Sequence, residues 1–123
     1  MLDVDAVVRE LSTKLELPER EARLYVLLAQ QPPVTLTEIV ALEGMGAQET
    51  ESAVQALVER GMVIRRPGSA EAFEALHPRF ALTNLFKLFE ARVTTDLRAR
   101  RAAADRLSLM LIPLYEQARH PKV

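Results

Sequence analysis

An apolar stripe of about forty residues in the second half of the chain is the feature that most constrains its fold. From Phe80 onward, apolar and small side chains recur at steps of three and four, which line up along one face of an α-helix. A forty-residue helix is roughly 60 Å long, more than a small domain can cover. The stripe therefore predicts a long helix over residues 80–119 that pairs with a second copy of the chain. The predicted dimerisation residues are Leu82, Phe86, Phe89, Val93, Leu97, Arg100, Ala104, Leu107, Leu111 and Leu114.

Three details of this stripe bear on how two such helices would pair. The doubled step of four residues at Val93 is a stutter in the heptad pattern. Arg100 occupies a stripe position, where contact with a carboxylate would fix the register of a helix pair. Pro113 is expected to kink or end the helix near its last turns. Three other arginines form a basic group on this helix: Arg98, Arg101 and Arg106. They could either extend a path for DNA or hold acidic helices of a partner subunit, and we favour the contact with a partner subunit.

The preceding residues, 1–79, predict a separate small domain that begins with two helices. Apolar residues from Val4 to Leu15 recur at steps of four, three and four, which indicates a short amphipathic helix. Pro18 is expected at the first position of a second helix, where its missing N–H removes no hydrogen bond. Pro32 and Pro33 should stop that helix.

A capping box predicts the next helix. Thr35 and Glu38 are three residues apart, so each side chain can satisfy the free backbone donor of the other. The short helix that follows should bury Ile39 and Leu42. Gly44 should end it, because a helix C-terminus often needs the left-handed conformation that glycine adopts freely.

A third helix and a hairpin complete the predicted domain. The helix should run from about Ala47 to Arg60, and two short extended segments should flank a turn at residues 67–69. This order of elements predicts a mainly α fold class with a small β-hairpin. More specifically, it predicts a winged helix-turn-helix domain followed by a long C-terminal dimerisation helix.

Composition excludes several classes of function. The chain has no cysteine and only two histidines, His77 and His120, so neither a cysteine-held nor a histidine-built metal site is expected. No nucleophile–base set or glycine-rich phosphate loop has motif support, which argues against an enzyme, a catalytic residue or a cofactor. Neither a signal peptide nor a membrane-spanning run is present, which predicts a cytoplasmic protein.

The charges of the chain are divided unevenly. Residues 1–59 carry eleven acidic and four basic side chains, whereas residues 60–123 carry six acidic and twelve basic ones. A polyanion such as DNA should therefore meet the second half of the chain. Docking of opposite charges within a dimer would use the same asymmetry.

The run from Leu15 to Leu82 resembles the DNA-binding domain of TrmB-like transcriptional regulators. The resemblance rests on Leu17 and Tyr25, on the start of the second helix of the pair at Thr37, and on the run LVERGMV that begins at Leu57. It implies a winged-helix regulator of double-stranded DNA. Larger members carry a ligand-binding domain after the winged helix, whereas a long helix follows here, so the resemblance implies a stand-alone homodimeric form.

The third helix departs from the family pattern. Ala47 and Glu49 stand where an arginine or lysine is usual, and Glu51 stands where an aromatic or aliphatic residue is common. The predicted second wing strand, often basic or aromatic in relatives, carries Glu71 and Glu74. The scaffold is thus retained while part of the expected phosphate chemistry is missing.

The predicted DNA contacts divide into two groups. Polar side chains on the outer face of the third helix suit the edges of bases: Gln48, Glu49, Ser52 and Gln55. Three arginines at the end of that helix and on the first wing strand suit phosphates: Arg60, Arg65 and Arg66. The alternatives are a solvated helix face and pairing of the arginines with Glu59, Glu71 or Glu74.

Two other functions stay open on the sequence alone. The acidic third helix could bind a basic protein partner, which would make the chain an interaction module with weakened DNA binding. An apolar pocket at the junction of the winged domain and the long helices could bind a small ligand.

Overall fold

The computed structural model describes residues 2–68 and 70–120, and it confirms the winged helix-turn-helix fold class. Its elements in chain order are α1 (Val4–Leu15), α2 (Glu19–Ala29), β1 (Val34–Thr35), α3 (Leu36–Glu43), α4 (Ala47–Glu59), β2 (Val63–Arg66), β3 (Ala72–Ala75) and α5 (Pro78–Arg119). The chain divides into two compact units, Met1–Phe89 and Glu90–Val123. The first unit contains the winged domain and the second contains the greater part of α5.

Local signals in the sequence set the ends of the short helices. The Asp3 side chain accepts a hydrogen bond from the Ala6 N–H at the start of α1. The predicted capping box is present, since Thr35 accepts from the Glu38 N–H and Glu38 accepts from the Thr35 N–H. Gly44 ends α3 with a φ of 71°, a left-handed conformation that would strain a residue with a side chain.

Pro18 differs from the prediction by one position. It is the N-cap of α2, and the helix begins at Glu19. Its ψ of 139° is extended, so Pro18 lies outside the helical turn. Pro18 still leads directly into the helix, because the carbonyl of this residue accepts the first helical hydrogen bond, from the Ala22 N–H at 2.9 Å.

The small sheet has three strands, one more than the predicted hairpin. All pairs are antiparallel and the order is β1-β3-β2, so β3 lies in the centre. Phe73 of β3 is buried and pairs with Val34 on one side and Arg65 on the other. We call the β2–β3 hairpin the wing. Of its predicted turn, Ser69 lies outside the described residues.

The core of the winged domain is built from the inner faces of α1 to α4, the sheet and the first turns of α5. The prediction that Leu42 is buried is wrong, since this side chain is 49% exposed. The face of α3 that points inward contains Ile39 and Glu43, which are one helical turn apart. Leu42 lies to the side of this face and is therefore exposed. The largest fully buried apolar side chains are Leu17, Leu24, Leu28, Ile39, Leu57, Met62 and Leu85.

The first turns of α5 pack against the winged domain and form a hydrogen bond with it. Ala81 and Leu85 are buried, and the Asn84 Nδ2 donates a hydrogen bond to the Gly61 carbonyl at 2.8 Å. Gly61 has a φ of 77°, and a Cβ added there would lie 2.8 Å from the Asn84 Nδ2. Glycine is therefore required at this turn both by its conformation and by the close approach of α5.

The second unit, described to residue 120, is a single run of helix. Most of its predicted stripe is exposed in the single chain, as Val93, Leu97, Leu107, Leu111 and Leu114 all show. Pro113 does not end α5, which continues to Arg119. Proline removes one backbone donor from a helix, and here that loss does not interrupt the secondary structure.

Candidate nucleic-acid interface

The third helix, α4, presents one buried face and one polar face. Thr50, Ala53, Val54 and Leu57 point into the core. The opposite face is exposed and contains no lysine or arginine; its side chains are Gln48, Glu49, Glu51, Ser52, Gln55 and Glu59. The structure therefore brings the four predicted base-reading residues onto one surface.

Glu49 has a partner that the sequence did not indicate. Its Oε2 atom lies 3.2 Å from Nη2 of Arg20, which projects from α2. The same guanidinium nitrogen contacts the Met45 sulfur at 3.9 Å. Arg20 thus offsets one negative charge in the first turn of α4. No local signal could have revealed a pair separated by 29 residues in the chain.

Arg60 is held inside the domain. Its Nε donates to Glu21 of α2 at 2.7 Å, and the two side chains are only 30% and 15% exposed. An ion pair removed this far from water is screened less than a surface pair. Its geometry makes Arg60 an anchor between α4 and α2.

Arg65 links α4 to the wing. Its Nη2 donates to the Gln55 Oε1 at 2.7 Å, and its Nε lies 3.5 Å from Glu71. The guanidinium carbon also lies 5.6 Å from the centre of the Phe73 ring, within the range of a cation–π contact. The Gln55 amide nitrogen in turn donates to Glu59 at 3.4 Å. Both ends of the Gln55 amide are therefore engaged.

Arg66 is paired across the wing. Its Nε donates to the Glu74 Oε1 at 2.7 Å, and more than half of the Arg66 side chain is exposed. The Arg65 side chain is 44% exposed. Exposed ion pairs contribute about 0–1 kcal/mol each, so a phosphate could replace Glu71 and Glu74 as the partners of these arginines at little cost.

The basic group on α5 lies in the second unit. In the single chain Arg100 pairs with Asp96 of its own helix at 3.1 Å, and Arg101 lies 3.7 Å from Asp105. The contact of Arg100 with a carboxylate of a partner chain stays a prediction. No ion pair is recorded for Arg98 or Arg106 within residues 2–68 and 70–120.

His77 lies directly before α5 and is not part of this surface, and His120 belongs to the second unit. The His77 ring contacts Phe80 edge-on at 6.1 Å between centroids, and its Nδ1 accepts from the Arg79 N–H. Within the described part of the chain, no group of three or more potential metal ligands comes together. Among the same residues, no helix combines the length and apolar character needed to cross a bilayer.

Comparisons with known proteins agree with the winged helix-turn-helix fold. The model of a family described as sugar-specific transcriptional regulator TrmB matches residues 11–79. The chain is 29% identical over 112 residues to the DNA-binding HTH-type transcriptional repressor TrmBL2 of Thermococcus kodakarensis, covering 91% of this chain and 42% of the relative. The chain thus spans less than half the length of the curated relatives that it matches.

Solved structures show the same fold. A structure of TrmBL2, described as an archaeal chromatin protein that shows a novel mode of DNA binding, has a TM-score of 0.77 and 27% identity, covering 91% of this chain and 43% of that one. The transcriptional regulator Tm0710 from Thermotoga maritima has a TM-score of 0.54 at 15% identity, covering 97% and 90% of the two chains. The second likeness concerns the fold alone.

Proposed function

The chain belongs to the TrmB family of transcriptional regulators, and from this premise we propose that it binds double-stranded DNA through α4 and the wing, as a homodimer. The relatives are described as a DNA-binding repressor and as a chromatin protein with its own mode of DNA binding. Those descriptions support DNA as the partner. The contacts in this chain suggest which residues carry the binding.

The observation that carries the proposal is the 2.7 Å hydrogen bond between Gln55 and Arg65. It joins the polar face of α4 to the first wing strand, so that groups suited to bases lie beside groups suited to phosphates. We call this the α4–wing surface; its members are Gln48, Glu49, Ser52, Gln55, Arg65 and Arg66.

The members of this surface have different roles in the proposal. Gln48 and Ser52 are exposed and face outward, so they are the residues assigned to read base edges in the major groove. Gln55 is held at both ends, which makes it the support of Arg65. Arg65 and Arg66 contact phosphates after releasing Glu71 and Glu74. Arg60 and Glu49 keep α4 in place through Glu21 and Arg20.

The exposed stripe of α5 supports a homodimer. Exposed leucines at helical spacing favour burial against another apolar face, and each buried leucine contributes about 1.5–3 kcal/mol. A second copy supplies an identical stripe. Two copies of α4 then favour a DNA site with two half-sites, as symmetric regulators of this type do.

The test is binding of the full chain to mixed-sequence duplex DNA, followed by fluorescence anisotropy between about 50 and 200 mM salt. We expect affinity to fall steeply with salt. Replacing both Arg65 and Arg66 by alanine should reduce the slope of log affinity against log salt by about 4, because the homodimer carries two copies of each phosphate contact. The matched double variant Arg98→Ala with Arg106→Ala removes the same charge from α5 and should keep the slope.

The opposite change tests the role of the wing carboxylates. Glu71→Gln with Glu74→Gln frees both arginines and removes two repulsive charges, so affinity at about 50 mM salt should rise on the order of tenfold. If the Arg98→Ala, Arg106→Ala variant lost more of its salt slope than the Arg65→Ala, Arg66→Ala variant, the DNA would bind elsewhere. That result would contradict the assignment of the phosphate contacts to the wing.

The second candidate function is an interaction module for a basic protein surface. The specific observation in its favour is the polar face of α4, which carries Glu49, Glu51 and Glu59 without any lysine or arginine. Absence of DNA binding even at about 50 mM salt, by the wild type and by the wing glutamine variant, would favour this module over the DNA-binding proposal.

A further inference from the structure

A groove between α2 and the turn that joins α3 to α4 lies apart from the predicted DNA contacts. It encloses about 540 Å³, within the range of roughly 300–1,000 Å³ that is typical of small-molecule sites. Its walls are apolar and come from Leu24 and Leu27 of α2 and from Met45 of the turn. All of its lining residues lie between positions 19 and 45, so the groove belongs entirely to the winged domain and not to its junction with α5.

One charged side chain that lines this groove, Glu43, forms no ion pair with a described residue. The Glu43 Oε1 atom is buried and has no hydrogen-bond partner among the described residues. Burial raises the pKa of the Glu43 carboxyl, and the nearby positive charge of Arg20 opposes this shift only in part. An ionised carboxylate in this position therefore carries a desolvation cost that the protein does not fully offset.

The other charges around the groove are already paired. Glu19 lies 3.2 Å from Arg23, which also contacts Asp5 at 2.9 Å. Arg20 is engaged with Glu49 at 3.2 Å, although its Nε atom is buried without a partner. Of the four charged residues on the rim, Glu43 alone has no ion pair with a described residue. A ligand that pairs with Glu43 in this groove would therefore carry a positive charge.

We propose that this groove binds a small organic cation: a primary ammonium group at Glu43, carried on an apolar body that packs against Leu24, Leu27 and Met45. An ammonium supplies three donors and a full positive charge to the carboxylate. The body replaces water on apolar walls, which favours binding roughly in proportion to the area covered.

The position of the site gives it a route to α4. Arg20 lines the groove and also holds Glu49 in the first turn of α4. A cation at Glu43 weakens the attraction between Glu43 and Arg20. Because Arg20 also pairs with Glu49, the cation can affect the polar face of α4 through this one ion pair. The binding itself does not depend on DNA and can be measured without it.

The test uses the full chain with its leucine and methionine methyl groups labelled for NMR, and n-hexylamine as the probe. Hexan-1-ol, which has the same apolar body and no charge, is the reference compound. We expect hexylammonium to shift the methyl signals of Leu24, Leu27 and Met45 in a saturable way. Its dissociation constant should be at least about tenfold lower than that of hexan-1-ol, because hydrogen bonds to a charged group are stronger. Hexanoate, which Glu43 repels, should bind more weakly than either.

Two variants separate Glu43 from a general charge effect. Glu43→Gln keeps the size of the side chain and should abolish the preference for hexylammonium while hexan-1-ol still binds. Glu10→Gln removes one exposed carboxylate from α1, outside the groove, and should preserve the preference. Equal affinity of the wild type for the amine and the alcohol, or an unchanged preference in Glu43→Gln, would overturn the proposal. Shifts confined to methyl groups outside the groove would do the same, and none of these results bears on DNA binding.

Discussion

Leu57 in α4 and Leu97 in α5 occupy similar places in helical apolar patterns, yet Leu57 is 0% exposed and Leu97 is 66% exposed. The inner face of α4 is covered by α2, α3 and β2 of the same chain. The stripe of α5 beyond residue 90 is exposed in the single chain. The comparison teaches that helical periodicity identifies a face that favours burial and leaves open what covers it.

The largest expected effect comes from the covered face. Leu57→Ala should lower the free energy of unfolding by about 2–5 kcal/mol, because the core around a fully buried leucine relaxes only in part. The urea midpoint would show this loss at every protein concentration.

The matched change at the exposed position is Leu97→Ala. At a concentration low enough for single chains, it should alter the free energy of unfolding by less than about 0.5 kcal/mol. If Leu57→Ala and Leu97→Ala lowered the free energy of unfolding by similar amounts under those conditions, the single chain itself would cover Leu97. The contrast between the covered face of α4 and the exposed stripe of α5 would then be wrong.

The next effect concerns the exposed face. Leu97→Asp together with Leu107→Asp should raise the dissociation constant of the homodimer at least about 100-fold, since the dimer would bury four unpaired carboxylates that each cost over about 1 kcal/mol. Sedimentation velocity across a range of concentrations measures the change. Thr95→Asp with Ala102→Asp adds the same charge off the stripe and should leave the dimer intact. A dimer that survives the first pair of changes would show that the stripe is not the interface.

Arg60→Ala should have an intermediate effect on stability. It leaves Glu21, a largely buried carboxylate, without its partner, which should cost about 1–3 kcal/mol in urea unfolding. Arg66→Ala removes an exposed pair and should cost less than about 1 kcal/mol. The order should reverse in DNA binding: Arg66→Ala should reduce the salt slope of the homodimer by about 2, one for each chain, and Arg60→Ala should leave it unchanged. A lower salt slope in Arg60→Ala would return Arg60 to the phosphate contacts.

The smallest effect should come from Glu43→Gln and should depend on pH. A carboxyl whose pKa is raised in the folded state stabilises the fold when protonated, and this contribution is lost as pH rises through that pKa. The variant should therefore be more stable than the wild type at pH 7, by less than about 1 kcal/mol because solvent reaches the groove. The gain in stability should vanish below about pH 4, where residue 43 is neutral in the wild type as well as in the variant. Thermal unfolding at both pH values measures the difference, and a gain that persists in acid would contradict its assigned cause.

Much of the fold is predictable because its signals are local. Thr35 and Glu38 are three residues apart, and their mutual capping depends only on the helix that they begin. Gly44 ends that helix by its own conformational freedom. The strand at Val34 escaped prediction because two residues are too few to show a period, and its partner Phe73 lies in a distant part of the chain.

The members of the candidate site are a prediction from the sequence, whereas the contacts between them could not be predicted. Gln48, Ser52 and Gln55 share a face because helical geometry puts residues at these spacings side by side. That Gln55 supports Arg65 could not be foreseen, since the bond joins a helix to a strand. The groove at Glu43 was missed for the same reason, because its walls come from two elements.

By itself, the sequence determined where α1, α3 and α4 begin and end, the polar face of α4, and an α5 stripe too long for one small domain. These properties depend on residues within a few turns of each other. Only the tertiary structure decided which carboxylate each arginine meets: Glu49 for Arg20, Glu21 for Arg60, Glu71 for Arg65 and Glu74 for Arg66. An ion pair needs its atoms within a few ångströms, and the packing of the helices and the register of the strands set those distances across the chain.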